Sequence, residues 1–147
     1  MKLSTRTRYG TRALLELALR KDEGPIFLRE IAKQQQLSLP YLEQLISPLV
    51  AAGIVRSVKG PRGGVSLAKE PEDVNLGDVT RLLEGTTAPV ECVADPGVCE
   101  RSGSCVTRDV WSELNDVVDA FLRSKTLQDL VADQKKKNQL QTDMYFI

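Results

Sequence analysis

Three cysteines, Cys92, Cys99 and Cys105, fall within 14 consecutive positions of this 147-residue chain, in the spacing C-x6-C-x5-C. In a reducing compartment such a group binds metal or does redox chemistry more readily than it forms a structural disulfide, and the odd count argues against a disulfide framework. No C-x-x-C knuckle is present, which counts against a structural zinc site. The stretches between the cysteines, Val93-Ala94-Asp95-Pro96-Gly97-Val98 and Glu100 to Ser104, hold Gly, Pro and Ser, so backbone amides can wrap around the sulfurs of a cluster. From spacing alone an iron–sulfur cluster comes first, with zinc, a thiol redox switch and inert cysteines as the other outcomes.

A second group of residues has the chemistry to read duplex DNA. Gln44 can pair with adenine N6/N7, Glu43 can accept from cytosine N4, and Tyr41 and Ser38 can donate to phosphate or base. Ser47 shares the same polar face. Arg6, Arg8, Lys59 and Arg62 supply positive charge for phosphates, and glycines flank Arg62 at Gly60, Gly63 and Gly64. An arginine on such a tight tip is favoured in the minor groove by its negative potential. Taken singly, each residue reads as an ordinary solvated position; the combination points to DNA, with a protein-docking surface as the alternative.

The chain has no histidine. Ser-His-Asp triads, HExxH zinc proteases and Cys-His zinc fingers are therefore excluded. A thiol oxidoreductase would lack both a histidine base and a thioredoxin-like motif, so an enzyme is not expected. The formal net charge of zero conceals an asymmetry. Residues 1–70 carry twelve Lys or Arg against six Asp or Glu, whereas residues 71–147 carry eight against fourteen. A basic first half facing a polyanion, with an acidic second half doing something else, fits that division. No apolar run reaches the ~18 residues of a membrane span, and the first eight residues contain no apolar signal segment, so a cytoplasmic protein with no membrane partner is expected.

Periodicity supplies the elements that position these groups. Tyr9, Ala13, Leu14, Leu17 and Ala18 recur at helical spacing in a helix from about Ser4, ended by Gly24-Pro25. A short helix over about 28–35, with Ile31 and Ala32 inward, leads through Gln36-Leu37-Ser38 to a third. Ser38 is a natural N-cap there, and Pro40 is tolerated in the first turn. Leu42, Leu45, Ile46, Leu49 and Val50 form the core face, Pro48 predicts a kink near Ser47, and Gly53 a left-handed stop. Residues 54–58, a glycine-rich tip at 59–64 and residues 65–67 read as a hairpin. This order is a winged helix-turn-helix, so the fold class is mainly α with a small β-hairpin wing.

Beyond Pro71, Asn75 should cap a helix with Val79, Leu82 and Leu83 inward and Gly85 at its end. Residues 86–105 show no period. A long helix follows over about 107–123, with Val110, Leu114, Val117, Val118, Phe121 and Leu122 on one stripe and Trp111 beside it. Thr126 and Asp129 suggest a capped short helix ending near Asp133, and Lys135 to Asn138 read as a solvated tail. The organisation expected is a DNA-binding unit at 1–70, a connector helix at 71–86, a cysteine-bearing loop at 87–106, a long helix with its short successor at 107–134, and a tail at 135–147.

Three segments carry a resemblance: Ser4 to Gly10, Ser38-Leu39-Pro40-Tyr41-Leu42-Glu43-Gln44-Leu45, and Val58-Lys59-Gly60-Pro61-Arg62-Gly63-Gly64. They resemble the bacterial winged-helix transcription regulators that include the IscR, NsrR and CymR types, over nearly the whole chain. The cysteines and the following Val106 to Trp111 look most like the IscR type, the iron–sulfur assembly regulators. That resemblance implies a homodimer held by the long helix at 107–123, a palindromic operator, and an iron–sulfur cluster, [2Fe–2S] in the IscR type, that biases operator binding. It also implies DNA contacts at Ser38, Tyr41, Glu43, Gln44 and Lys59, and a repressor of iron–sulfur biogenesis genes. Departures are visible. The IscR type has one residue fewer between its first two cysteines, and its fourth ligand, a histidine, falls at Arg108. The NsrR type, a nitric-oxide sensor, uses a partner aspartate where this chain has Arg8. The fourth ligand is thus open, with Glu91, Asp95, Glu100, Asp109, water, an exogenous thiol or a partner residue as candidates. The C-terminal Tyr145-Phe146-Ile147 resembles instead the CymR type, sulfur-metabolism repressors that partner cysteine synthase, and implies docking of that tail.

Overall fold

The computed structural model describes residues 1–146. Its first helix, α1 (Thr5–Leu19), begins where the Ser4 hydroxyl accepts from the Thr7 N–H and buries Gly10, Ala13, Leu14, Leu17 and Ala18. Tyr9 is only half-buried, at the edge of that stripe. Helix α2 (Leu28–Gln35) contributes Ile31 and Ala32 to the core and ends at Gln36, in the left-handed region at φ 56°. Helix α3 (Leu39–Ala51) follows at once. Its Ser38 cap accepts from the Tyr41 N–H at 3.3 Å, an interaction worth about 1 kcal/mol. Leu42, Leu45, Ile46 and Leu49 are buried, and the helix continues through Pro48 to Ala51. Gly53, at φ 75°, then reverses the chain as expected.

The hairpin joins β1 (Val55–Val58) and β2 (Gly64–Leu67) in antiparallel register, with Val55 opposite Leu67 and Val58 opposite Gly64. A short bridge between Ile26 and Val65 stitches this wing to the segment before α2. Gly64 has φ 140°, and a Cβ there would collide with the Ile26 backbone, so only glycine permits that stitch.

Helix α4 (Leu76–Glu84) is capped by Asn75 and buries Val79, Thr80 and Leu83. It crosses α1 where Gly10 has no side chain: a Cβ at Gly10 would meet Leu83. Leu82 does not face inward as expected; it is 38% exposed, because the α1 contact takes the Val79–Leu83 stripe and leaves Leu82 on the next face. The aperiodic stretch then holds one helical turn, α5 (Glu91–Ala94), and a 3₁₀ turn at Pro96–Val98.

Helix α6 (Val106–Arg123) buries none of its residues. Two ion pairs hold it beside α4, Arg81–Asp119 at 3.1 Å and Arg123–Asp78 at 3.0 Å, while Arg123 also pairs with Asp119 one turn back on its own helix at 3.0 Å. Solvent-exposed pairs of this kind contribute little, at most ~1 kcal/mol each.

Helix α7 (Leu127–Tyr145) opens with the Thr126–Asp129 capping box. Leu127 and Val131 are buried in the same core as α1, and the Leu76 and Leu127 N–H groups donate to Lys125 and Val74 carbonyls across the α4 and α7 starts. The helix does not stop near Asp133, and residues 135–145 are helix rather than an irregular tail. Between Leu127 and Tyr145 there is neither Gly nor Pro, and once a capped turn exists each added residue gains a backbone bond at little cost. The Gln134 amide donates to the Asn138 side chain and the Thr142 hydroxyl to the Asn138 carbonyl along the exposed part. Among the described residues no helix is long and apolar enough to cross a membrane.

Candidate nucleic-acid interface and cysteine loop

The polar face of α3 lies opposite its buried stripe, so the 3.6-residue period that sinks Leu42, Leu45, Ile46 and Leu49 necessarily lifts Glu43, Gln44 and Ser47 to the surface. Ser38 is exposed as well; its oxygen is engaged by the Tyr41 N–H, which leaves the hydroxyl proton available for donation outward. Tyr41 is half-buried and tied back onto α1: its hydroxyl donates to Thr5 Oγ1 at 3.3 Å, and its ring meets that of Tyr9 edge-on at 6.4 Å between centroids. The guanidinium groups of Arg8 and Arg12 sit 5.9 and 5.2 Å from the Tyr9 ring centre, within cation–π range.

The start of α1 and the first turn of α3 are thereby fixed side by side. Sequence reasoning placed Ser38, Tyr41, Arg6 and Arg8 but missed Thr5 and Tyr9 as the clamp between the two helices. The signal available was the pair of tyrosines, each near a helix start. Arg6 and Arg8 are exposed on α1, and Lys59 and Arg62 are exposed on the wing tip, where Gly60 at φ 107° makes the tight turn. A second tie lies behind this face: Glu84, the last residue of α4, accepts from both the Ser4 N–H and the Ser4 hydroxyl at 2.7 Å.

The cysteines sit on the opposite side of Glu84 along the chain. Cys92 lies half-buried in α5, Cys99 is exposed, and Cys105 is the N-terminal flank of α6. The Cys105 Sγ is 3.2 Å from the Thr107 hydroxyl. That hydroxyl, followed by the Arg108 backbone N–H, holds the Cys105 thiol below its ordinary pKa. Arg108, where the resemblance places a ligand histidine, turns its side chain elsewhere: its Nε donates to the Cys92 carbonyl at 2.9 Å and ties α6 to the cysteine-bearing turn.

The donor set has the sulfurs a cluster needs, but they are not gathered. Among the described residues no three Cys, Asp or Glu side chains stand close enough together to hold a metal ion, and the proposed oxygen donors Glu91, Asp95, Glu100 and Asp109 are all exposed. As folded, the loop does not fit a cluster without rearranging.

Residues 3–133 match the family model Rrf2, described as an iron-dependent transcriptional regulator. The chain belongs to the Rrf2 family. Protein rrf2 of Nitratidesulfovibrio vulgaris is 44% identical over 133 residues, covering 90% of this chain and 89% of that protein. The HTH-type transcriptional regulator CymR of Bacillus subtilis is 42% identical over 132 residues, covering 90% and 91%. Among solved structures, T. potens IscR superposes with a TM-score of 0.76 at 38% identity, over 93% of this chain and 90% of its own. The winged-helix architecture is therefore that of the Rrf2 regulators, and the family assignment is to transcriptional regulators. Relatives of the rrf2, CymR and IscR names stand at similar distances, so similarity alone does not single out one subtype.

Proposed function

We propose that this Rrf2-family chain is a cytoplasmic, homodimeric repressor. It reads a palindromic operator through Ser38, Tyr41, Glu43, Gln44 and Ser47, and anchors on phosphates through Arg6, Arg8, Lys59 and Arg62. The observation that carries this reading is the first half of α3, whose polar side chains stand exposed beside basic α1 and a basic wing while its other face is sealed in the core. Two such surfaces related by a twofold axis would engage successive major-groove turns. The dimer would form through the apolar stripe of α6, where Val106, Val110, Trp111, Leu114, Val117 and Phe121 are all exposed. A stripe of that size on one long helix is an unpaired interface.

The effector acts on the cysteine loop. Its presence changes DNA affinity only by favouring one arrangement of loop and α6 over another. An iron–sulfur cluster, of the [2Fe–2S] kind, on Cys92, Cys99 and Cys105 is supported by the three thiols and by the iron dependence in the family's description. The genes controlled would then be those of iron–sulfur biogenesis. A second reading, a repressor of cysteine and sulfur metabolism, is favoured by the ungathered sulfurs, the Arg108–Cys92 tie, and the likeness to a structure described as the global cysteine regulator of B. subtilis, at TM-score 0.74 and 42% identity. A nitric-oxide-sensing role of the NsrR type has no separate support. The tail-docking expectation rests on Tyr145 and Phe146, both strongly exposed, and on Ile147, which lies outside the described residues. Calorimetry of that peptide against cysteine synthase tests it.

Anaerobic reconstitution with iron and sulfide, followed by visible spectroscopy and footprinting of both forms on the DNA upstream of the chain's own gene, tests the whole reading. Brown protein whose footprint differs from that of the apo form supports the cluster reading. Colourless protein with a footprint that responds to thiol oxidants or cysteine-derived metabolites moves the effector to the second reading. No footprint in either form ends the regulator reading.

A further inference from the structure

The last part of α7 lies beyond the family match, which ends at residue 133, while the helix runs on to Tyr145. At 1.5 Å per residue the extra twelve residues extend it by about 18 Å. This segment holds Lys135, Lys136 and Lys137, three of the eight cationic side chains of the otherwise acidic second half. All but Gln134 are exposed from residue 132 to residue 146, and among the described ion pairs none engages these lysines.

The extension packs against α1. Leu130, Gln134, Lys136 and Lys137 share a surface recess with Leu15, and Gln134 and Asn138 line a second that spans α1 from Arg12 to Leu19 and reaches Gln35. Arg12 donates from Nε to Gln35 at 2.8 Å and also lies over Tyr9, which meets Tyr41 of α3. The one cationic run of the acidic half thus lies against α1, the helix whose Arg12 and Tyr9 lead on to Tyr41 of the reading face.

We infer that the extension of α7 is an additional phosphate-binding arm, which grips the DNA backbone beside the operator through the Lys135–Lys137 run. The inference rests on the DNA-binding reading above. DNA fits this surface by charge: lysines that form no ion pair among the described residues, on a helix whose neighbouring exposed side chains are mostly polar, suit a phosphate ladder. A protein partner would need an apolar patch, and the exposed Leu140, Met144, Tyr145 and Phe146, where the tail-docking expectation falls, lie further out, past Asn138.

Fluorescence anisotropy with a random-sequence duplex, titrated across a range of salt, tests it with the full chain. One lysine–phosphate contact per copy, two per dimer, predicts that K135Q/K136Q/K137Q lowers the slope of log affinity against log salt by about 2 and weakens binding roughly tenfold at low salt. The charge-matched variant K21Q/R101Q/K125Q, altered away from this arm, should keep the wild-type slope. Circular dichroism checks that both variants are folded. An unchanged slope in the first variant, or an equal fall in both, overturns the arm. Absence of salt-dependent DNA binding by the wild type would instead overturn the regulator reading itself.

Discussion

The N-terminal unit and the segment from Thr86 to Arg123 are built on opposite plans. In the first, α1, α2, α3 and the wing close around Leu14, Leu17, Ile31, Leu42, Leu45 and Leu49, all essentially inaccessible to solvent. In the second, an 18-residue helix buries nothing, and the turns before it are held by single polar contacts such as Arg108 to the Cys92 carbonyl. A unit with a sealed aliphatic core specifies its own shape. A segment that leaves valines, Trp111 and Phe121 in water depends on something else to finish it, and so its arrangement can respond to a second copy or to an effector. On the proposed function, recognition falls to the rigid half and control to the incomplete one. Helix α4 joins them, gripping Ser4 through Glu84 on one side and α6 through Arg81 and Asp119 on the other.

Several measurements break or sharpen this contrast. The largest effect is expected at α6: Val117→Asp with Phe121→Asp should raise the dimer dissociation constant by at least about a thousandfold, since each buried side chain is worth roughly 1.5–3 kcal/mol and a charge replaces it. Analytical ultracentrifugation would read this, and the thermal transition of the N-terminal unit should move little by comparison. Leu45→Ala should do the reverse, destabilising the monomer by about 3 kcal/mol in chemical denaturation through a core cavity while leaving the association surface intact. In the absence of DNA, a Ser38→Ala change removes only the cap and should cost about 1 kcal/mol of stability.

The smallest expected effect lies in the loop. The Thr107 hydroxyl, followed by the Arg108 N–H, lowers the Cys105 pKa and so raises its thiolate fraction at neutral pH. Thr107→Val should therefore slow alkylation of Cys105 by iodoacetamide severalfold at neutral pH, as peptide mass spectrometry would show. The difference between wild type and variant should shrink as pH rises and the thiol ionises in both. Equal rates at neutral pH would remove the role of the Thr107 hydroxyl.

The rigid half is also the half that was legible in the amino-acid sequence. Ser38, Pro40 and Gly53 bracket α3 by local backbone chemistry, and its core stripe follows from spacing, so the exposure of Glu43 and Gln44 comes with it. The hairpin could be read from its glycine tip, although the Ile26–Val65 stitch could not, because nothing local in Ile26 specifies a partner 39 positions away. What escaped depends on tertiary choice. Leu82 and Leu83 are equally apolar, and only the close crossing at Gly10 decides which of them goes inside. Lys135 to Asn138 are as compatible with a solvated coil as with a solvated helix; the capped turn ahead of them tips the balance. Leu127 and Val131, two residues of a segment assigned to the C-terminal part, complete the N-terminal core. In the loop, spacing identified three possible thiolate ligands but carried no information about whether the fold brings them together, and among the described residues it does not.

The central claim is that the exposed face of α3 reads base edges. Once footprinting has defined an operator, anisotropy titrations of that duplex and of a random-sequence duplex with Gln44→Ala test it most directly. A bidentate contact to a base is worth ~1–3 kcal/mol, so operator affinity should fall about 5- to 150-fold while random-sequence binding stays at the wild-type level. Undiminished operator binding by folded Gln44→Ala, or an equal loss on both duplexes, would contradict the assignment of this face.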